Sequence, residues 1–356
     1  MIRPLGPQSS RDDLEDRHSA WRQLLETARY APSPHNVQPW RIRLSGDGSA
    51  EVLIDGRRTL PNEDHTGSFL LSAMGMFLEA IDLVAAQRGI RVETEMARDA
   101  EWLADRLADR NQRGLTSFAT LRMSGSVRSD GENYPIELFR ARRTSRISLR
   151  PDPVPPVIVR SLARMASEWG HRYNHLTDAP VIEEILSRNI DAVFHDMNVA
   201  PYHDEITEWF RFTDRSAERN KDGLDWRCMN LSRSEFWLSA RMSKTLLFGP
   251  TRWLLKRRYR QQLGTVPSIG VLSGDFFAAK NAVPSGRFLF RFWLELARHG
   301  LYLHPYGNMV TNPDAAAWMA RRTGVTKAWL VFKVGYCDPP PASYRRSVEE
   351  ILVPES

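Results

Sequence analysis

The chain has 356 residues, 42% of them hydrophobic, and a formal net charge of +6, so it can bury a large core and is long enough for two domains or two halves of one. Its two cysteines, Cys228 and Cys337, are too few for a disulfide framework or a cysteine-based metal site, which predicts a reducing, cytoplasmic setting and no metal. The start of the chain has no apolar run of signal-peptide type. The run "FLLSAMGMFLEAIDLVAA" carries Glu79 and Asp82 and falls short of the about 20 apolar residues that a membrane span needs, so a buried core helix and no membrane partner are expected.

In chain order, Asp12 to Tyr30 reads as a helix, with Leu14, Trp21, Leu24, Leu25 and Ala28 on one face and Pro32 as its stop. The loop "APSPHNVQPW" (Ala31 to Trp40) follows, dense in proline and polar groups. "WRIRL" and "AEVLID", joined by "GDGS", then read as a hairpin. Ser68 to Arg88 carries an apolar stripe and ends at Gly89 before the strand-like "IRVETE". Met96 to Glu137 gives no clear pattern.

The later part of the chain echoes this plan. "FLEAIDLVAAQRGIRVE" (Phe77 to Glu93) and "FRFWLELARHGLYLHP" (Phe290 to Pro305) are both apolar helices that end in an arginine and a glycine, Arg88-Gly89 and Arg298-His299-Gly300, and run into a strand. Pro156 to Trp169 corresponds to the first helix, and "AWLVFKVGY" (Ala328 to Tyr336) is a buried strand. An internal duplication of about 150 residues per copy follows, each copy being helices packed on a short sheet. Asp196 to Gly264, rich in tryptophan and arginine, has no counterpart in the first copy and is expected to be a helical insertion of lid type. Trp209, Trp226 and Trp253 are expected in its core.

The basic clusters are "RARRTSRISLR" and "RWLLKRRYR". The second reads as a solvated helix face, since no nucleic-acid-binding signature accompanies it. No nucleic-acid partner is therefore expected.

"APSPHNVQPW" resembles the active-site loop of the nitroreductase family of flavoproteins, A-P-S-x-x-N-x-Q-P-W, through Ala31, Pro32, Ser33, Asn36, Gln38, Pro39 and Trp40. "RRTSR" is similar to the family's R-x-S-x-R phosphate motif, with Arg142 and Arg146 flanking and Thr144 in the serine position. The tail "GYCDPPPASYRRSVEEIL" is similar to the closing strand and late arginine, placed at Arg345. The resemblance implies FMN as cofactor, held by Arg142, Arg143, Thr144, Ser145, Arg146 and Arg345 and by Pro32, Ser33, Asn36 and Gln38, with NAD(P)H as a candidate electron donor and a small organic molecule as substrate. Guanidinium forks suit a phosphate bidentately, and a proline-frozen polar loop suits the edge of a flavin ring at low entropic cost. His35, His304 and Tyr306 are the acid/base candidates. His35 is equally a loop hydrogen-bond donor, and His304 and Tyr306 equally a packed strand end.

In small nitroreductases the arginine motif, the loop and the late arginine follow in one subunit, and two subunits build two sites. Here the first copy has the loop but no arginine motif before it, and the second has "RRTSR" but reads "ASEWGHRYNHLTDAP" where the loop belongs. The order of motifs therefore predicts an α+β fold of two fused nitroreductase-like halves, 1–137 and 138–356, with the helical insertion at about 196–264. It predicts a single-chain pseudo-dimer holding one flavin, with higher oligomers left open. The long, twin-domain form of the family keeps a second function in view, that of a flavin-sequestering protein with little NAD(P)H-dependent turnover.

Overall fold

The computed structural model describes residues 11–126, 134–242 and 250–354. The first ten residues and residues 243–249 of the insertion lie outside them. In chain order the helices are α1 (Arg11–Ala28), α2 (Ser68–Gln87), α3 (Ala100–Ala108), α4 (Ile136–Ala141), α5 (Pro156–Glu168), α6 (Ala179–Asp196), α7 (Ala200–Glu208), α8 (Asp214–Asn220), α9 (Arg233–Met242), α10 (Pro250–Leu263), α11 (Ala279–Arg298), α12 (Asn308–Thr311), α13 (Pro313–Thr323) and α14 (Val348–Ile351). The strands are β1 (Trp40–Leu44), β2 (Ala50–Asp55), β3 (Ile90–Met96), β4 (Leu115–Ser126), β5 (Arg172–Leu176), β6 (Phe210–Arg211), β7 (Leu224–Asp225), β8 (Ile269–Ser273), β9 (Leu301–Pro305) and β10 (Ala328–Tyr336).

The chain divides into two units. The first comprises Met1–Arg140, Ala278–Arg291 and Arg345–Ser356, the second Ala141–Phe277 and Phe292–Tyr344. This division differs from a boundary at 137/138, because two later segments group with the first unit. The reason for the C-terminal one is backbone pairing: Leu352 bridges Ile42 in parallel, and Val353 N–H donates to the Ile42 carbonyl at 2.8 Å.

In the first unit a four-stranded antiparallel sheet has the order β1-β2-β4-β3. The expected hairpin is present, with Gly48 at φ 77 in its turn. Helix α2 is buried along most of its length, from Ser68 to Ala85, which is why its sequence is apolar on nearly all sides. It is the one described helix long and apolar enough to cross a membrane, and 83% of that window is buried. Two glycines let α2 and the first part of α11 approach backbone to backbone: a Cβ on Gly75 would sit 2.2 Å from the Val283 carbonyl oxygen, and one on Gly286 2.0 Å from that of Ser72. Beside this crossing the Glu79 carboxylate accepts from Arg287 at 3.0 Å and Arg291 at 2.6 Å, and Asp82 also pairs with Arg287. A nearly buried carboxylate is tolerated there because two guanidinium groups replace its water.

In the second unit a separate antiparallel sheet has the order β5-β8-β10-β9. Counted within each four-stranded sheet, the strands run first-second-fourth-third, with a 20-residue helix (α2 or α11) between the second and third. The insertion is mainly helical, α7 to α10, and includes a two-stranded parallel pair, β6 and β7. Its core gathers Phe210, Leu224, Phe236 and Ala240, with Trp226 packed against it. Trp209 is buried, but Trp253 is 61% exposed, contrary to the expectation that all three tryptophans are core. The helical face of α10 that carries Trp253 also carries Arg257, whose guanidinium stacks over the indole at 5.4 Å, so the ring is shared between solvent and a cation.

Candidate functional site

The loop after α1 is built against its own backbone preference. His35, Asn36 and Gln38 sit at φ 44, 57 and 50, in the left-handed region that non-glycine residues enter at a cost. Such conformations persist only where the surroundings over-determine them, and here they do. Ser33 Oγ accepts from Gln38 N–H at 2.9 Å. Arg58 donates to the Val37 carbonyl at 2.9 Å. Arg345 Nη1 donates to Asn36 Oδ1 at 2.7 Å. Arg346 N–H donates to Gln38 Oε1 at 3.0 Å, and its guanidinium donates to the carbonyls of Gln38 and, at 2.8 Å, Trp40. Trp40 closes the loop by stacking on Phe77 of α2 with ring centroids 4.7 Å apart.

His35 Nε2 bonds the Glu63 carboxylate. Both side chains keep partial solvent access, at 19% and 28% exposure. Asp64, next along the chain, accepts from the N–H groups of Phe69 at 3.2 Å and Leu70 at 2.8 Å at the start of α2. Burial pushes its pKa up to about 7 against those bonds.

In the second unit the arginine segment lies along the edge of the second sheet: Thr144 bridges Leu303 of β9, and Ser145 N–H donates to the Leu303 carbonyl at 2.9 Å. Arg142 is buried, with its guanidinium over the Trp293 ring at 4.5 Å. Arg143 donates to the Pro340 carbonyl at 2.7 Å. Ser145 is fully buried, its hydroxyl 3.2 Å from Cys337 Sγ. Arg146 is half-buried and donates to the Cys228 carbonyl at 3.0 Å. Burial lowers its pKa, and no carboxylate among the described residues forms an ion pair with it.

His304 ends up on β9 and Tyr306 just beyond it, both buried, with rings 5.3 Å apart. His304 Nδ1 and the Tyr306 hydroxyl have no hydrogen-bond partner among the described residues. Burial, with Arg146 and Lys333 nearby, holds the His304 pKa well below its usual value, and burial raises that of Tyr306. The imidazole is thus kept neutral and the phenol protonated. His304 suits an acceptor role and Tyr306 a donor role, and neither is a charged proton source at neutral pH.

The structure brings Pro32, Ser33, His35, Asn36, Gln38 and Arg345 together in the first unit, and Arg142 to Arg146, His304 and Tyr306 together in the second. Arg345 thus groups with the loop and not with the arginine segment. Three residues were missed by sequence reasoning: Arg346, Glu63 and Lys333. A cleft of about 600 Å³ lined by Arg188, Asp191, His195, Arg252, Trp253 and Lys256 contains none of the expected cofactor-binding or acid/base residues.

An FMN phosphate fits the second group on its chemistry. Arg146 spends one N–H on a backbone carbonyl and retains a fork that matches a phosphate, and a half-buried cation without a carboxylate suits an anionic ligand. The two units thus define an α+β protein with a rigid polar loop and a buried cationic segment.

Solved structures similar to the chain include three nitroreductases. One is the FMN-dependent nitroreductase NfnB from Mycobacterium smegmatis in complex with NADPH, 18% identical, covering 57% of this chain and 86% of that one, at a TM-score of 0.32. Another is a nitroreductase with bound FMN from Desulfitobacterium hafniense, 10% identical, covering 63% and 100%, at a TM-score of 0.38. The third is the FMN and NADPH-dependent nitroreductase NfnB from a Sphigopyxis strain, 14% identical, covering 62% and 98%, at 0.36. No family model matches the chain, and no curated protein matches it.

Proposed function

We propose that the protein is an FMN-dependent oxidoreductase of nitroreductase type that moves a hydride between the flavin and a small organic molecule, with NAD(P)H as electron donor. The observation that supports this most is the loop: His35, Asn36 and Gln38 are held in left-handed conformation, and two of them, Asn36 and Gln38, match the family pattern and are tied down by Arg345 and Arg346. Strain of that kind is maintained where geometry matters to function.

FMN, when bound, supplies the hydride chemistry. Arg142, Arg143 and Arg146, with Thr144 and Ser145, hold its phosphate. Pro32, Ser33, Asn36 and Gln38, with Arg345, fix polar groups for the ring edge. His35 holds a proton for the acceptor, and Glu63 orients the imidazole and balances its charge. The finer architecture belongs to the same proposal: the repeated strand order and the single occurrence of each motif support an internal duplication with one flavin per chain.

The test is the visible spectrum of the purified protein, followed by NADH and NADPH oxidation with a nitroaromatic or quinone acceptor. A flavin band and turnover are expected. A colourless protein that cannot be reconstituted with FMN overturns the proposal, and full flavin occupancy without turnover replaces it with sequestration.

A further inference from the structure

Lys333 lies in the middle of β10, in a strand otherwise apolar from Trp329 to Gly335, and has no solvent exposure at all. A leucine would fill such a position at less cost, because a buried ammonium must recover its lost hydration. No carboxylate among the described residues forms an ion pair with it. Its Nζ instead donates to the carbonyl of Ile147 at 2.7 Å and reaches that of Leu263 at 3.4 Å. Ile147 follows Arg146 directly, and Leu263 is the last residue of α10. The same junction is stitched by Thr265 N–H to Ser148 Oγ at 2.9 Å and by Leu149 N–H to the Thr265 carbonyl at 3.0 Å.

We propose that Lys333 is the positioning residue of the phosphate-binding segment: it ties the backbone after Arg146 to β10 and to the end of the insertion, and it adds a second buried positive charge toward an anionic group held by Arg146. This rests on the assignment of Arg146 to the flavin phosphate.

The groups around the ammonium leave its charge unneutralised. His304 is its cross-strand partner on β9 and is kept neutral. Cys337 follows the strand, and burial raises its thiol pKa. On the side of the segment stand Arg146 and, facing it, Tyr259 and Cys228, both raised by burial, and Asp225. The Asp225 carboxylate is already spent on Arg227 Nε at 3.1 Å and on the N–H groups of Arg227 and Cys228. Burial lowers the Lys333 pKa to about 8, with Arg146 adding to the effect. The ammonium is therefore charged below that pH and neutral above it, so attraction for a phosphate is lost as pH rises.

The experiment compares FMN with riboflavin, which lacks the phosphate, by quenching of flavin fluorescence from pH 7 to pH 9, where a phosphate is already nearly dianionic. In the wild-type chain FMN affinity is expected to fall as pH rises through about 8, and riboflavin affinity to stay level. Lys333→Met is expected to weaken FMN about tenfold and remove the pH step, leaving riboflavin unchanged. The wild-type comparison needs no variant and holds even if Lys333→Met fails to fold. Equal losses for FMN and riboflavin in the variant, or a wild-type FMN affinity that tracks riboflavin across the range, overturn the role of Lys333 while leaving FMN binding intact. Absence of FMN binding at every pH removes the flavin assignment itself.

Discussion

At the scale of single residues, the loop sets stability against function. His35 at φ 44 holds a conformation that costs a non-glycine residue on the order of 1–3 kcal/mol, and glycine adopts it without that cost. His35→Gly is therefore expected to leave the thermal midpoint unchanged or raise it, while steady-state turnover falls because the proton held between His35 and Glu63 is gone. A variant that keeps full turnover ends the acid/base assignment. Arg146 carries the opposite kind of prediction, since it trades little stability for ligand binding. Charge-assisted hydrogen bonds contribute about 1.5–3 kcal/mol, so Arg146→Ala is expected to weaken FMN about 10- to 100-fold, measured by fluorescence titration. Arg146→Lys recovers part of it at most, because an ammonium lacks the planar fork. Wild-type affinity in Arg146→Ala places the phosphate elsewhere.

At the scale of elements, α2 is the axis of the first unit, and both its packing and its start are testable. The glycine crossing has no slack: the atoms a Cβ would meet are the carbonyl oxygens of Ser72 and Val283, fixed in helical hydrogen bonds, so the helices must move apart. Gly286→Ala is expected to destabilise by about 3 kcal/mol, read as a lower urea midpoint, whereas Gly114→Ala, with open space around it, serves as the neutral control. An unchanged midpoint in Gly286→Ala removes the close crossing. At the start of α2, Asp64 has a pKa raised from 3.8 to about 7 by burial. The folded chain then holds a proton between pH 4 and pH 7 that the unfolded chain has released. Its contribution is thus full below about pH 4 and lost as pH rises through 7. Asp64→Asn should flatten that part of the pH–stability curve, measured by chemical denaturation at each pH. An unaltered slope assigns the effect to another group.

At the scale of the whole molecule, what the sequence revealed was local and periodic, and what it hid was tertiary. The unit of apolar helix, arginine, glycine and strand was legible twice because turn chemistry and hydrophobic period agree there, and the two stretches fold as α2–β3 and α11–β9. Helix α3 and the 12-residue β4 were not, since "LTSFATLRMSGS" mixes small and polar residues on its faces and takes its strand state from pairing with β2 and β3. Among site residues, the loop and "RRTSR" stood out by composition. Lys333 had a readable signal, a lone lysine inside "LVFKVGY", while Glu63 and Arg346 had none, their partners lying 28 and 308 residues away. The two sheets repeat one strand order, yet the loop and the arginine segment each occur once. Under the proposed duplication, a scaffold that kept every motif would bind two flavins, and one whose halves keep different motifs would bind one. Titration of the full chain with FMN is therefore expected to saturate at one flavin per chain, followed by equilibrium dialysis against a calibrated absorbance. Arg146→Ala should lower the affinity of that one site without exposing another. Two equivalents bound per chain would mean that each copy holds a complete site built from residues outside both motifs.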